Sequence, residues 1–138
     1  MIILDTNVVS EVMRPLPDVR VVEWLDARLL SGMATTTISV AEIRYGLARL
    51  SFGSRRSDLE TRFESFVARA FGERVLGFDR PAANAYGELI VNREGMGRPL
   101  EGFDGLIAAI ALAGGHAIAT RNTRDFDGCG VPVISPWG

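Results

Sequence analysis

The sequence predicts an α/β fold of three layers, in which one parallel sheet is covered by helices on both faces. Short apolar segments with the length of buried strands alternate along the chain with longer segments of helical character. The segment from Gly105 to Ala113 is apolar all round, which is typical of a buried helix. With 138 residues, 47% of them hydrophobic, the chain suits one compact domain over residues 1–138.

The chain begins with a predicted strand and two predicted helices. Residues 1–4 are apolar and are followed by an acid, which suits a buried strand. Thr6 or Asn7 can cap the short helix that follows, and this helix must end before Pro15, since proline disfavours helical backbone in the residue before it. The Pro-Asp pair at residues 17–18 opens a second helix that is apolar along one face.

The middle of the chain contains a predicted strand and two further helices. Residues 34–38 are rich in threonine, which favours a strand. Ser39 and Glu42 have the S-x-x-E spacing of a capping box, and this spacing predicts a helix over residues 41–50. Residues 54–71 are charged and amphipathic, and they predict another helix.

The C-terminal half completes the alternation of strands and helices. A helix is predicted over about residues 81–93 and a loop over residues 95–102. Asp104 opens the buried apolar helix, which Gly114-Gly115 ends. The remaining predicted strands are residues 75–78, 117–120 and 131–134.

Acidic residues stand beside the ends of several predicted strands, where open parallel sheets form their binding sites. Asp5 ends the first strand and Glu42 lies one turn into the helix after the second. Asp104 starts the buried helix, and Asp125 follows the strand at residues 117–120. Each acid also has an ordinary structural interpretation, as a helix cap, as part of the capping box, or as a loop residue. Their convergence at one edge is therefore a hypothesis that depends on the fold.

Carboxylates that meet at one edge require a cation. Two carboxylates about 4 Å apart repel by roughly 4 kcal/mol at an effective dielectric constant of about 20. Oxygen ligands favour hard ions, so the sequence predicts Mg²⁺ or Mn²⁺. Zinc is disfavoured because His116 is the only histidine and Cys129 the only cysteine. We expect His116 to lie at a turn.

The overall charge does not indicate a nucleic-acid-binding protein, because the formal net charge is −2. All 15 basic residues are arginine. We attribute this to genomic base composition in preference to phosphate recognition, since lysine is missing from the whole chain. The start of the chain, MIILDTN, lacks the features of a signal peptide, and the apolar run at residues 106–113 is far shorter than the roughly 20 residues of a membrane span. A cytoplasmic protein without membrane contact is expected.

Four motifs in order resemble the PIN-domain ribonucleases, most closely their VapC and FitB toxin branch. The motifs are LDTN at residues 4–7, AE at 41–42, FDGLIAAIA at 103–111 and ATRNTRDF at 119–126. The resemblance extends over nearly the whole chain and implies a parallel sheet flanked by helices. It also implies that the protein cleaves RNA with Mg²⁺ or Mn²⁺.

The resemblance assigns roles to individual residues. Asp5, Glu42 and Asp104 match the family's acidic metal-binding positions, whereas the usual fourth acid is replaced here by Asn122. Asn122 can offer a carbonyl oxygen, or Asp125 can take the place of the missing acid. All five are predicted catalytic residues, with Glu42 as a ligand or as the general base.

RNA is expected to contact polar and basic residues around the acids. Thr6 and Thr120 match small polar pocket residues of the family, and Arg121 and Arg124 flank the predicted site. Arg55 is more typical of a solvated helix face. The full predicted substrate-binding set is Thr6, Asn7, Arg44, Thr120, Arg121 and Arg124.

The resemblance also implies partners, and it leaves alternatives open. Toxins of this branch are usually homodimers that are silenced by a small DNA-binding antitoxin. The neutral Asn122 gives weight to a catalytically weak PIN-like module that only binds nucleic acid or a partner. A phosphoryl-transfer enzyme with Asp5 as nucleophile is disfavoured, because Asn7 stands where that chemistry needs a second acid.

Overall fold

A computed structural model describes residues 1–138 and contains one five-stranded sheet in the order β3-β2-β1-β4-β5. The strands are β1 (Ile2–Leu4), β2 (Met33–Thr36), β3 (Val75–Leu76), β4 (Ala117–Ala119) and β5 (Val133–Ile134). Every neighbouring pair is parallel, so all five strands end at the same edge of the sheet. The first strand lies at the centre, and the residues that follow it lie in the middle of that edge.

Seven α-helices connect and cover the strands. They are α1 (Thr6–Val12), α2 (Val19–Asp26), α3 (Thr37–Ala48), α4 (Ser54–Ala70), α5 (Arg80–Gly95), α6 (Phe103–Gly114) and α7 (Thr123–Phe126). A short 3₁₀ turn at Leu30–Gly32 precedes β2. None of these helices has the length and hydropathy that crossing a lipid bilayer requires.

Two hydrophobic cores lie on opposite faces of the sheet, because successive side chains of a strand point to opposite faces. Ile3 and Ile118 belong to the core that contains α6, where Ile107 and its neighbours are fully buried. Leu4 and Ala119 belong to the other core, which contains residues of α1, α2, α3 and α4. The predicted parallel sheet with helices on both faces is confirmed.

The structure corrects two predicted helix starts. Asp5 caps α1 by accepting a hydrogen bond from the Thr6 N–H, in place of the predicted caps Thr6 and Asn7. The strand predicted to reach residue 38 ends at Thr36, whose hydroxyl caps α3 by accepting from the Ser39 N–H at 3.1 Å. Threonine suits both a strand and an N-cap, which explains why composition extended the strand too far.

The segment that follows β4 contains a helix that the sequence analysis missed. Four residues, Thr123–Phe126, form α7, which is too short for a helical period to be recognised. Two guanidinium groups bind carbonyl oxygens of this segment. Arg93 donates to the carbonyls of Asp125 and Asp127, and Arg98 donates to that of Arg124. Arg93 is buried, and these contacts fix α7 against the end of α5.

The tight packing of α6 gives a stability test. Ala109 is fully buried in the core, so Ala109→Leu should lower the free energy of unfolding by about 1–3 kcal/mol through overpacking. Ala113 lies on the same helix but is exposed, and Ala113→Leu should change it by less than about 0.5 kcal/mol. Urea unfolding of the two variants and the wild type measures the difference. Equal stability of the two variants would contradict the described burial of α6.

Candidate active site

A cleft of about 460 Å³ opens at the edge where the strands end. None of its lining residues is hydrophobic. They are Asp5, Thr6, Asn7, Ser10, Glu11, Arg14, Glu42, Asp104 and Asn122. The parallel topology therefore brings Asp5, Glu42 and Asp104 together, although they are far apart in the sequence.

Asp5 lies at the centre of the cleft and is only 5% exposed. One carboxylate oxygen accepts the Thr6 N–H at 2.8 Å, and the other accepts the Thr120 hydroxyl at 2.8 Å. Burial raises the pKa of Asp5, and the charges of Glu42 and Asp125 raise it further, whereas the two hydrogen bonds lower it. The carboxylate is both the cap of α1 and a wall of the cleft.

Thr120 joins three segments at the end of β4. Its hydroxyl is fully buried and donates to Asp5. The same oxygen accepts from the Asn122 N–H at 3.1 Å and from the Asn7 side-chain amide at 3.3 Å. The carbonyl oxygen of the Asn7 side chain in turn accepts the Arg121 N–H at 3.1 Å. Thr120 and Asn7 therefore serve to position the cleft, whatever further contacts they make with a substrate.

Glu42 points into the cleft and does not complete a capping box. Its Oε1 accepts the Thr6 hydroxyl at 2.8 Å, and the Thr6 oxygen also lies 2.9 Å from the Ser39 hydroxyl. The predicted reciprocal bond from Glu42 to the start of α3 is absent, because Thr36 caps this helix by itself. The other oxygen of Glu42 has no protein donor and is free for a ligand.

Asp104 differs from Asp5 because it receives no hydrogen bond from the protein. It lies in the first turn of α6 and is half-buried. Burial, followed by repulsion from the charges of Asp5, Asp125 and Glu42, raises the pKa of Asp104 to about 6. A nearby cation would stabilise the charged form of Asp104 against both burial and the repulsion of these acids.

The structure places Asn122, and not Asp125, in the cleft. Asn122 stands at the start of α7 and lines the cleft beside Asp104. Asp125 lines a separate cavity of about 250 Å³ on the other side of Asp104, together with Glu101 and Arg93. Asp125 is close enough to repel Asp5 and Asp104, yet it does not share the cleft with them.

The three arginines that the sequence analysis selected do not line the cleft. Arg44 forms ion pairs with Glu60 and Glu64 of α4, and its contact with RNA stays a prediction. Arg121 stacks over the ring of Trp137 at 5.1 Å. Arg124 is exposed on α7.

Three cleft residues were missed by the sequence analysis. Ser10, Glu11 and Arg14 line the cleft from α1 and the turn that follows it. They follow Asn7 at intervals of three, four and seven residues, the spacing that places side chains on one face of a helix. This helical periodicity could have predicted from the sequence that Ser10, Glu11 and Arg14 share a face with Asn7.

The donor set of the cleft fits a hard divalent cation. Carboxylate, hydroxyl and amide oxygens converge there, and His116 lies elsewhere, at the turn after α6, with its ring beside the N-terminal amine. No three acidic, histidine or cysteine side chains are close enough together to form a complete ligand set. Water and substrate oxygens therefore have to complete the coordination of an ion held here, as is usual for Mg²⁺.

Comparison with known proteins gives the family. Residues 2–129 match the PIN domain family. The chain is 41% identical over 137 residues to the VapC ribonuclease Y4jK of Sinorhizobium fredii, with 99% of this chain and 98% of that one covered. It is 40% identical over 137 residues to the toxin FitB of Neisseria gonorrhoeae, also with 99% of both chains covered. The structure of FitAB bound to an IR36 DNA fragment matches with a TM-score of 0.93 at 40% identity, over 100% of this chain and 96% of that one.

The resemblance found in the four motifs is confirmed. The chain belongs to the PIN domain family and, within it, to the branch of the VapC ribonuclease and the FitB toxin.

Proposed function

We propose that this protein is a Mg²⁺- or Mn²⁺-dependent ribonuclease and the toxin of a toxin-antitoxin pair. The observation that carries the proposal is the convergence of Asp5, Glu42 and Asp104 in one polar cleft at the ends of parallel strands. The relative named as a VapC ribonuclease supports the same activity.

Asp5 and Asp104 are the proposed metal ligands, with Glu42 as the third acid. Asp5 is held by two hydrogen bonds and provides a fixed position, whereas Asp104 has both oxygens free. When bound, the ion would supply a water of lowered pKa and positive charge against the phosphate.

The chain's own residues orient and deprotonate the attacking water. The bond from Thr6 fixes one oxygen of Glu42 and leaves the other free to accept a proton, so Glu42 is a suitable general base. The hydroxyl of Thr120 stabilises the charged form of Asp5 against its burial. The side-chain amide of Asn122 has no cap hydrogen bond, and it can offer a carbonyl oxygen to the ion or an N–H to a phosphate oxygen.

A protein partner is part of this proposal. The relative FitB has been solved as FitAB on DNA, and it shares the fold and 40% of the sequence. We therefore propose a small DNA-binding antitoxin as the partner of this chain, and a homodimer of the chain within the complex.

The second candidate is a PIN-like module that binds nucleic acid without cleaving it. The observation in its favour is Asn122, a neutral residue in the cleft at the position of the family's fourth acid. RNA incubated with the protein in Mg²⁺, with and without EDTA, separates the two. Cleavage that EDTA abolishes supports the ribonuclease, whereas binding without cleavage supports the module.

Asp104→Asn tests the catalytic role with the least structural disturbance, because no protein hydrogen bond is lost. We expect RNA cleavage to fall by about a hundredfold or more, since several kcal/mol of charge stabilisation depend on the bound ion. Glu101→Gln is the matched control, because Glu101 lies near Asp104 but lines the other cavity. Wild-type cleavage by Asp104→Asn would refute the proposed site.

Metal binding should also be visible as stabilisation. An ion that binds only the folded protein raises the melting temperature by mass action, so millimolar Mg²⁺ or Mn²⁺ should raise that of the wild type. The same titration should have little effect on Asp104→Asn. Differential scanning fluorimetry measures both, and equal shifts for the two proteins would place the ion elsewhere.

The raised pKa of Asp104 predicts the pH dependence of the metal-free protein. Between its ordinary pKa of 3.8 and about 6, the folded protein binds a proton that the unfolded chain has released. Lowering the pH from 7 to 5 in EDTA should therefore stabilise the wild type relative to Asp104→Asn. Urea unfolding at both pH values measures the free energy of unfolding of the wild type and of Asp104→Asn. The contribution of His116 is common to the two proteins and cancels in the difference between them. A constant difference across this range would contradict the described environment of Asp104.

A further inference from the structure

Arg14 is the one basic side chain among the residues that line the cleft. It follows α1 directly, in the turn before Pro15, and its side chain is 63% exposed. It also lines the apolar groove that adjoins the cleft, together with Met13 and Pro15. Arg14 therefore lies where the cleft meets this groove.

A buried carboxylate sets the direction of Arg14. Glu11 is only 4% exposed, and its two oxygens lie 3.2 and 3.3 Å from Nη1 of Arg14. One of these oxygens also accepts the Asp18 N–H at 3.0 Å, and Asp18 caps α2. The guanidinium group is thus held by a side chain that is itself anchored to the backbone of the next helix.

Stability alone is a weak explanation for this arrangement. An ion pair with one exposed partner contributes about 0–1 kcal/mol. Nε and Nη2 of Arg14 have no acceptor in the protein, so most of its five N–H donors remain available. Other arginines make contacts within the protein: Arg44 with Glu64, Arg98 with the carbonyl of Arg124, and Arg121 with the ring of Trp137.

The acidic side chains of the cleft repel RNA, and the positive charge of Arg14 can reduce this repulsion. Asp5, Glu11, Glu42 and Asp104 all line it, and a polyanionic strand is repelled by their charges. A bound ion reduces this repulsion only at the phosphate it touches. A fixed guanidinium group where the cleft meets the groove suits a neighbouring phosphate, because its planar fork matches the geometry of phosphate oxygens.

We propose that Arg14, oriented by Glu11, binds an RNA phosphate that flanks the cleaved one; this inference rests on the proposed function. Arg14 determines how the strand lies across the cleft, and Glu11 is a positioning residue that does not touch the RNA. Neither residue takes part in holding the ion.

The test is equilibrium binding of a short fluorescein-labelled single-stranded RNA in Ca²⁺, measured by anisotropy over a range of salt concentrations. Arg14→Gln should raise the Kd about tenfold and reduce the salt dependence of log Kd by about 0.7, the value expected for one lost contact on a single strand. Arg55→Gln is the matched control, because it removes the same charge from an exposed residue outside the cleft. It should leave the Kd near that of the wild type.

Two further readouts separate this inference from the proposed function. The Mg²⁺-induced rise in melting temperature should be the same in Arg14→Gln and the wild type, which shows that the fold and the ion site are intact. RNA cleavage by Arg14→Gln should show a raised KM with little change in kcat. If the wild type binds RNA but does not cleave it, the proposed ribonuclease activity is contradicted, whereas the proposed contact of Arg14 with phosphate is not. A Kd and salt dependence for Arg14→Gln equal to those of the wild type, or no RNA binding by the wild type, would overturn the Arg14 contact.

Discussion

The hydrogen bond from Thr120 to Asp5 is the contact on which the cleft depends. It joins the ends of the two central strands, across 115 positions of sequence, and both residues are buried. Burial raises the pKa of Asp5, whereas the hydrogen bonds from Thr120 and Thr6 lower it and favour the charged form. The bond therefore favours the carboxylate form of Asp5 at a place where burial opposes it.

The rest of the cleft is arranged around this fixed charge. Thr6, whose N–H binds Asp5, also carries the hydroxyl that directs Glu42 inward from α3. Asp104 approaches from the buried helix α6 and receives no donor, so its charge is opposed by both burial and repulsion. The result is one carboxylate anchored by two hydrogen bonds and one without a donor, which is the arrangement that the proposed divalent ion would contact.

Sequence reasoning predicted the parts of this arrangement that depend on regular patterns. Alternating strands and helices predicted the parallel sheet, and the position of Asp5 after an apolar run placed it at the edge where the strands end. The sequence did not predict which side chains make particular hydrogen bonds and ion pairs. Glu42 matched a capping box, but Thr36 supplied that cap and left Glu42 for the cleft. The ion pairs of Arg44 with Glu60 and Glu64 could not be predicted either, because they depend on how α3 packs against α4.

Diffraction from crystals grown with Mn²⁺, collected at a wavelength where manganese scatters anomalously, tests the central claim most directly. The account expects an anomalous peak in the cleft in contact with the carboxylates of Asp5 and Asp104. A peak in the neighbouring cavity between Glu101 and Asp125, or an ordered cleft without a peak at saturating Mn²⁺, would contradict it.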